Sequence, residues 1–489
     1  MRIFFLITIF FLGQKVIASP TDVLSPIALF DRCYFHITGD ALTSEHSLYA
    51  SVKSGNLSYS DACMQTLSKG YLSASSDKTG KLKNISDEGK KVVGHFLHVH
   101  RQWIGSQDLV AAIDGPGSTR HIYDDNDPAL NLTRILLTPE IKYDQLFKTT
   151  GQMEAIRSNG CDPDKTFGDQ HFVSDTETDY RGDLQPLEVS FVQTGEILGV
   201  RPMELGLDVN DDNCLSTPKK DQSANFSYTG PLKDRYNRVN GNIKLHRPIG
   251  DGVFATKTYI MHNHEYPFRT STDGGQIMFR RWSESVMKEF LCRELPVVRS
   301  GDAISKVQVT NITTETPPFR TNSRCMECHS TIDPMAATIR NVWLHRSRGS
   351  MASLMTTPVT RPSQENSFIN EDIKYYTRPP KGRFFFRGYD GQLHNKAVDN
   401  VSELSSYIAE IKDPYVCAAS RYFNYFTGID VAITDFADAG SASEGSTKYR
   451  DIVIGLGEDF FQHKSPEKLI KNIISHPVYK TIGFRATKN

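Results

Sequence analysis

Residues 324–335, RCMECHSTIDPM, combine two cysteines and a histidine in the spacing that covalent haem attachment requires. Cys325 and Cys328 are separated by two residues, and His329 follows directly. From one helical turn, each thiol can add across a haem vinyl group to form a thioether bond. The adjacent imidazole can then coordinate the iron. The segment therefore predicts a haem c held by Cys325 and Cys328, with His329 as an axial iron ligand.

Three other interpretations of the two cysteines follow from the same residues. A thioredoxin-like redox dithiol lies between a strand and a helix, whereas the flank TTETPPFRTNSR has the composition of a loop. A structural zinc site needs four ligands, and the sequence contains no second Cys-x-x-Cys pair. A disulfide between Cys325 and Cys328 would leave His329 without a role. The haem interpretation is favoured because it gives all three residues a function.

A six-coordinate haem needs a second axial ligand, which is commonly Met or His. Met351 and Met355 are the preferred candidates, because the chain has enough length before them to fold back over the haem. Met335 is too close to the motif to reach the opposite face, and His345 and His394 are further candidates. Without such a ligand the iron would be five-coordinate and open to small ligands or peroxide.

The N-terminal residues MRIFFLITIFFLGQKVIASP have the pattern of a secretory signal peptide. Arg2 supplies a short positive region, and the apolar run that follows is too short to span a bilayer comfortably. Residues 1–18 are therefore predicted to be cleaved after Ala18, with an uncleaved anchor as the alternative. No later stretch reaches about 18 consecutive apolar residues, so we expect no transmembrane segment in the mature chain. Its expected location is the periplasm or the extracellular space, where bacteria attach haem c.

The overall composition is that of a soluble globular protein, since 38% of the 489 residues are hydrophobic and 23% are charged. The 56 basic residues balance the 57 acidic ones, which gives no electrostatic reason to expect nucleic acid as a partner. Six cysteines lie outside the motif, and an oxidising compartment favours their pairing. The sequence does not choose among the possible pairings, and buried thiols are the alternative. Joining neighbours, the simplest arrangement, gives three disulfides: Cys33–Cys63, Cys161–Cys214 and Cys292–Cys417.

The elements that must position the motif are predicted to be mainly α-helical, with long irregular loops. Residues 19–145 are interpreted as an N-terminal helical domain and residues 146–250 as a loop-rich middle region with little regular structure. Residues 251–489 are interpreted as a helical, haem-bearing, cytochrome c-like region. Within it, residues 346–400 are also predicted to be loop-like.

Several segments carry clear helix signals. Residues 85–106 have one apolar stripe that includes His100, with Ser86 as the predicted N-cap. His95 and His98 on this helix have a spacing that can hold a metal, although such residues more often form a helix surface with one core histidine.

Three further helices are predicted in the haem-bearing region. One covers residues 275–296 and is ended by Pro296, and the next covers residues 401–411. The last has Asp413 as its N-cap and stops at Gly428.

Three stretches resemble the haem-binding region of planctomycete-type cytochrome c-like proteins. CMECHSTIDPMAATIRN matches the family pattern Cys-x-x-Cys-His followed by Asp-Pro, here Asp333 and Pro334. RRWSESVMKEFLCRELPVV is similar to the helix before the motif, and DPYVCAASRYFNYFTGID is similar to the closing helix. The resemblance is good over residues 275–430 and faint over 30–105. Two positions depart from it: Ala336 stands where the family usually has Gly, and Arg340 where it usually has Glu.

The resemblance implies a secreted, mono-haem c-type protein and does not imply a named reaction. Electron transfer to a redox partner protein is the favoured function. The alternatives are a haem enzyme such as a peroxidase, and an extracellular structural or binding module stabilised by disulfides. A Cys292–Cys417 bridge would tie together the two helices that flank the haem in the family.

Overall fold

The computed structural model of the chain describes residues 23–72, 80–81, 86–104, 127–148, 152–156, 188–192, 249–263, 277–307, 318–340, 342–347, 351–356, 379–433 and 444–481. Only the backbone is described for most strand residues before position 357. The predicted signal peptide and the predicted Cys161–Cys214 pair lie outside these segments.

The described N-terminal half is mainly helical, with one small antiparallel sheet in the order β1-β3-β2. Its helices and strands, in chain order, are α1 (Pro26–Thr38), α2 (Tyr49–Lys53), α3 (Tyr59–Ser68), β1 (Gly80–Lys81), α4 (Asp87–Trp103), α5 (Asp127–Leu137), α6 (Gln145–Lys148), β2 (Gln152–Ile156) and β3 (Glu188–Val192). The middle region, predicted to have little regular structure, thus contributes β2 and β3.

The described C-terminal half combines helices with two antiparallel hairpins, β4–β5 and β6–β7. Its elements are α7 (Lys257–His262), α8 (Ile277–Leu291), α9 (Ser300–Ile304), α10 (Ser323–Ala336), β4 (Val342–Ser347), β5 (Met351–Thr356), β6 (Gly382–Arg387), β7 (Leu393–Val398), α11 (Val401–Ile408), α12 (Asp413–Thr427), α13 (Glu444–His463), α14 (Pro466–Ser475) and α15 (Pro477–Lys480). The prediction of a mainly helical protein is confirmed for the described residues.

The helix predictions are confirmed with small shifts at the ends. Ser86 caps α4, and its hydroxyl accepts a 3.0 Å hydrogen bond from the backbone N–H of Gly89. Helix α8 ends at Leu291, before the predicted stop at Pro296, because Cys292 adopts a left-handed φ of 52°. At the end of α12, Gly428 has a φ of 73° and donates to the carbonyl of Asn424, as expected for a glycine C-cap.

Two details in the last part of the chain differ from the predictions. Asp413 is the first residue of α12 and not its N-cap; its carboxylate accepts a hydrogen bond from the Tyr389 N–H. Residues 346–400, predicted to be loop-like, include the β6–β7 hairpin, in which Gly382 pairs with Val398. The hairpin reverses at Gly391, whose φ is 78°. The preceding Asp390 makes this an Asp-Gly turn, a hairpin signal that is already present in the sequence.

One hydrophobic core draws buried side chains from both helical regions of the chain. Arg32 on α1 donates to the carbonyl of Phe426 on α12 and to the carbonyl of Tyr479 on α15. The hydroxyl of Tyr59 on α3 donates to the carbonyl of Ile474 on α14. The N-terminal helices and the C-terminal helical region, predicted as separate parts, therefore pack together in this core.

A buried histidine joins these two parts. His100 on α4 has no exposed surface, as predicted for a core histidine. Its Nδ1 lies 2.8 Å from the Thr133 hydroxyl, and its Nε2 lies 3.0 Å from the Tyr422 hydroxyl on α12. Because Thr133 gives its own proton to the carbonyl of Ala129, Nδ1 of His100 must donate to the Thr133 hydroxyl. When the imidazole is neutral, Nε2 accepts the proton of the Tyr422 hydroxyl.

We expect this neutral histidine to make the fold acid-sensitive. Burial, with a smaller contribution from the Arg421 charge and then His95, lowers the pKa of His100 to about 3 from the ordinary 6.5. Between these values the unfolded chain binds the proton and the folded chain does not. The free energy of unfolding should therefore fall as the pH drops from about 6.5 to about 3, by up to roughly 1.4 kcal/mol per unit.

Urea unfolding at a series of pH values measures this effect. The His100→Gln variant should lose this part of the pH dependence. His98→Gln is the matched control, because His98 is exposed on the same helix. Equal slopes for the wild type and His100→Gln would contradict the assignment.

Candidate functional site

The Cys-x-x-Cys-His motif lies on the first two turns of α10. The side chain of Asn322 caps this helix and accepts hydrogen bonds from the N–H groups of Arg324 (2.9 Å) and Cys325 (3.4 Å). The residues directly before it form a 3₁₀ turn, Pro318–Thr321, and not a strand. Within described residues 318–322, no strand of the kind that precedes a thioredoxin-like dithiol leads into the motif.

Both motif cysteines are free thiols with partly exposed side chains, and no disulfide joins them. Burial raises the pKa of the Cys328 thiol, and the nearby carboxylates of Glu327 and Glu284 raise it further. Redox dithiols are instead activated by a lowered thiol pKa. The surroundings of Cys328 thus disfavour the redox-dithiol interpretation.

His329 is held by a carboxylate one helical turn further along α10. Its Nδ1 lies 3.1 Å from Oδ1 of Asp333, and the two side chains are 23% and 16% exposed. No hydrogen-bond partner of Nε2 lies within the described part of the chain. In the neutral tautomer in which Nδ1 donates to Asp333, the lone pair lies on Nε2, on the far side of the ring.

Asp333 is in turn fixed by an arginine from α8. Arg280 donates from Nε to Oδ1 of Asp333 at 2.7 Å and from Nη2 to Oδ2 at 3.4 Å. Burial would raise the pKa of the Asp333 carboxyl, but the hydrogen bonds from His329 and Arg280 and their charges lower it overall. Asp333 is therefore an ionised carboxylate held between two nitrogen donors.

An aromatic ring covers this group of side chains. The ring of Phe319 lies 4.2 Å from the ring of His329, with 31° between their planes. The guanidinium of Arg280 lies 5.2 Å from the centroid of the same ring. Phe319 thus packs against both ends of the Arg280–Asp333–His329 chain of contacts. Such a contact limits the orientations that the imidazole can adopt.

The remaining face of α10 is fixed by β6. Met326 belongs to a small buried cluster with Phe385 of β6, and the Thr331 hydroxyl donates to the Phe385 carbonyl at 2.7 Å. The backbone at Gly382 approaches the carbonyl oxygen of Pro334 so closely that a Cβ would clash. The Asp-Pro part of the motif is therefore also the place where the hairpin packs.

Arg340, one of the two departures from the family pattern, also contacts the start of β6. Its Nη2 donates to the Lys381 carbonyl at 2.7 Å, and its Nε donates to the Ala337 carbonyl. The residue thus links the end of the α10 segment to the hairpin through carbonyl groups. An acidic side chain at this position has no protons to donate to these carbonyls.

The sixth iron ligand stays a prediction. Met351 and Met355 lie on β5, and His345 lies on the paired strand β4, but their side chains are outside the described part of the structure. Met335 is fully buried in the main core. His394 is stacked on Phe386 and shares a hydrogen bond with the Tyr407 hydroxyl.

The other histidines singled out by spacing do not converge on a shared ligand position. Nε2 of His95 bonds to the Tyr425 hydroxyl at 2.5 Å, whereas Nε2 of His98 faces the side chain of Gln102 at 3.0 Å. In the described segments, no group of three or more His, Cys, Asp or Glu side chains could hold a metal ion. The zinc interpretation of the motif thus gains no support from these residues.

Two of the side chains around the motif were not found from the sequence. Arg280 and Phe319 come from other segments, and no local pattern connects them to His329. Asp333 was noted only as part of the family pattern. Its position four residues after His329 was an available signal, because residues four apart on a helix face each other.

Comparison of the chain with protein families, with curated proteins and with solved structures found no match. The resemblance to planctomycete-type cytochrome c-like proteins therefore stays a prediction. Within the described residues, no helix has the length and apolar character needed to cross a membrane.

Proposed function

We propose that the chain is a mono-haem c-type cytochrome-like protein that transfers electrons in the periplasm or outside the cell. The observation that carries this proposal is the arrangement on α10. Two free, partly exposed thiols precede an imidazole whose Nε2 has no partner among the described residues. This donor set fits haem c, which needs two thiols and one imidazole nitrogen from the chain.

In this proposal each side chain of the site has a separate role. Cys325 and Cys328 hold the haem, and His329 provides the axial nitrogen through Nε2. Asp333 orients His329 through Nδ1, and Phe319 packs on the imidazole face. When bound, haem c supplies reversible one-electron chemistry. Met351 or Met355 is the proposed sixth ligand, and a redox protein is the proposed partner.

The disulfides agree with the proposed compartment. Cys33 is bonded to Cys63, and Cys292 is bonded to Cys417, as the pairing of neighbours predicts. Disulfides persist mainly in oxidising compartments such as the periplasm and the extracellular space. Haem c is attached outside the bacterial cytoplasm as well, so one location accounts for both features.

The proposal is tested by producing the chain in bacteria that mature c-type cytochromes in the periplasm. We expect the denatured mature protein to keep the mass of one haem and to give a pyridine haemochrome spectrum typical of thioether-linked haem. A colourless product with Cys325 and Cys328 joined to each other would contradict the proposal and favour a structural or binding module.

A second measurement separates electron transfer from a haem enzyme. An electron-transfer protein is expected to show a six-coordinate spectrum, reversible reduction and no turnover with peroxide. Five-coordinate iron with peroxide turnover would instead support the peroxidase alternative.

A further inference from the structure

The contacts among Arg280, Asp333 and His329 determine which ring nitrogen of His329 carries the proton. Arg280 donates to both oxygens of Asp333, so both oxygens act as hydrogen-bond acceptors. Nδ1 of His329, 3.1 Å from Oδ1, must therefore carry the proton. In a neutral imidazole this leaves the lone pair on Nε2, the nitrogen with no partner among the described residues.

We propose that Asp333 and Arg280 are positioning residues that set the tautomer of His329 and its electron donation to the haem iron. This inference rests on the proposed function. A carboxylate that accepts from the distant nitrogen of a ligating imidazole makes the ring a stronger donor. Arg280 acts in the opposite sense, because its positive charge draws electron density from the same carboxylate.

The geometry assigns opposite effects to the two residues. Asp333 stabilises the oxidised, more positive iron through His329, so its neutralisation should favour the reduced state. Arg280 weakens the pull of Asp333 on the Nδ1 proton, so removing its charge should favour the oxidised state. Both side chains are 16% exposed, so water screens these interactions only in part.

The first experiment needs no haem and examines the tautomer alone. The full mature chain is produced without haem maturation and labelled with ¹⁵N at histidine, and long-range proton–nitrogen correlations are recorded. The His329 signals are assigned by their loss in His329→Gln. At a pH at which the imidazole is neutral, we expect the wild type to show the Nδ1–H form only, and Asp333→Ala to show the Nε2–H form as well.

Glu327→Gln is the matched control for this experiment. Glu327 lies on the same helix, two residues before His329, and has no contact with its imidazole. The Glu327→Gln substitution removes one negative charge, as Asp333→Ala does, and should leave the tautomer of His329 unchanged. A wild type with the Nε2–H form, or an Asp333→Ala variant identical to the wild type, would overturn the inference.

The second experiment measures the reduction potential of the haem-loaded protein. For Asp333→Asn we expect the ratio of reduced to oxidised haem at a fixed ambient potential to rise at least tenfold. For a one-electron couple this rise corresponds to an increase of about 59 mV in the reduction potential of the haem. Arg280→Gln should shift the ratio in the other direction, and Arg280→Lys, which keeps the charge, should shift it less. The Glu327→Gln shift should be smaller than that of Asp333→Asn.

The two experiments separate failure of this inference from failure of the proposed function. If no haem is attached, the tautomer measurement still supports or overturns the role of Asp333. If haem is attached and Asp333→Asn shifts the potential no more than Glu327→Gln, the inference is wrong and the proposed function stands. Should Asp333→Asn fail to fold, the opposite shift in Arg280→Gln decides the question.

Discussion

The double variant Cys325→Ala, Cys328→Ala is expected to lose all haem that survives denaturation. Both thiols are free and partly exposed on the first turns of α10, so both are available to form thioether bonds. In the described part of the chain, the other cysteines are joined in disulfides and have no thiol to offer. The measurements are the mass of the denatured chain and its pyridine haemochrome spectrum.

Single variants make this experiment sharper. Cys325→Ala and Cys328→Ala should each keep one thioether bond, and the haemochrome band should shift in the direction of a haem with one unreacted vinyl group. Glu327→Gln, which changes a residue between the two cysteines, should keep both bonds and the wild-type spectrum. Haem that stays attached in the double variant would show that the chain binds it elsewhere, and the proposed site would be wrong.

The local features of the fold could be predicted because their causes are local. Ser86 precedes an acidic first turn and an apolar stripe, so the start of α4 is encoded within a few residues. The same holds for Gly428, which ends α12 because glycine adopts a left-handed conformation without steric cost. His100 was placed in the core by its position on the stripe of α4.

The non-local features could not be predicted because the residues concerned are far apart in the chain. Arg280 and Asp333 are separated by 53 residues, and no periodic pattern relates an arginine on α8 to a carboxylate on α10. Phe319 follows a segment with the composition of a loop, and the sequence gives no reason to place its ring against the motif. The packing of the N-terminal and C-terminal helices in one core could not be predicted for the same reason. The hydrogen bond from Tyr59 to Ile474, for example, joins residues 415 positions apart.

The sequence therefore predicts which residues of the candidate site could bind haem, but it does not predict the side chains that surround them. The identity of Cys325, Cys328 and His329 follows from spacing alone, because each residue type supplies a different bond. The carboxylate and guanidinium that orient His329 depend on the packing of α8 against α10. These surroundings add what the motif alone does not show, because they hold Nδ1 of His329 against Asp333 and leave Nε2 without a partner among the described residues.

Removal of the Cys292–Cys417 disulfide is expected to cause the largest loss of stability. It joins the end of α8 to α12 and closes a loop of 125 residues, whereas Cys33–Cys63 closes a loop of 30 residues. Loop-closure entropy assigns about 4.9 kcal/mol to the longer loop and about 3.6 kcal/mol to the shorter one. Guanidinium unfolding of Cys292→Ala, Cys417→Ala and of Cys33→Ala, Cys63→Ala measures the difference.

The comparison of the two double variants tests the effect of loop length. Cys33 and Cys63 are fully buried in the main core, whereas Cys292 is partly exposed, so the cavities left by alanine add to the loss in the Cys33–Cys63 variant and work against the expected order. Because α8 also supplies Arg280, loss of the Cys292–Cys417 bridge should loosen the contact with Asp333 and broaden the His329 nitrogen signals. The Cys33–Cys63 variant should leave these signals unchanged. An equal loss of stability in both variants would contradict the expected order.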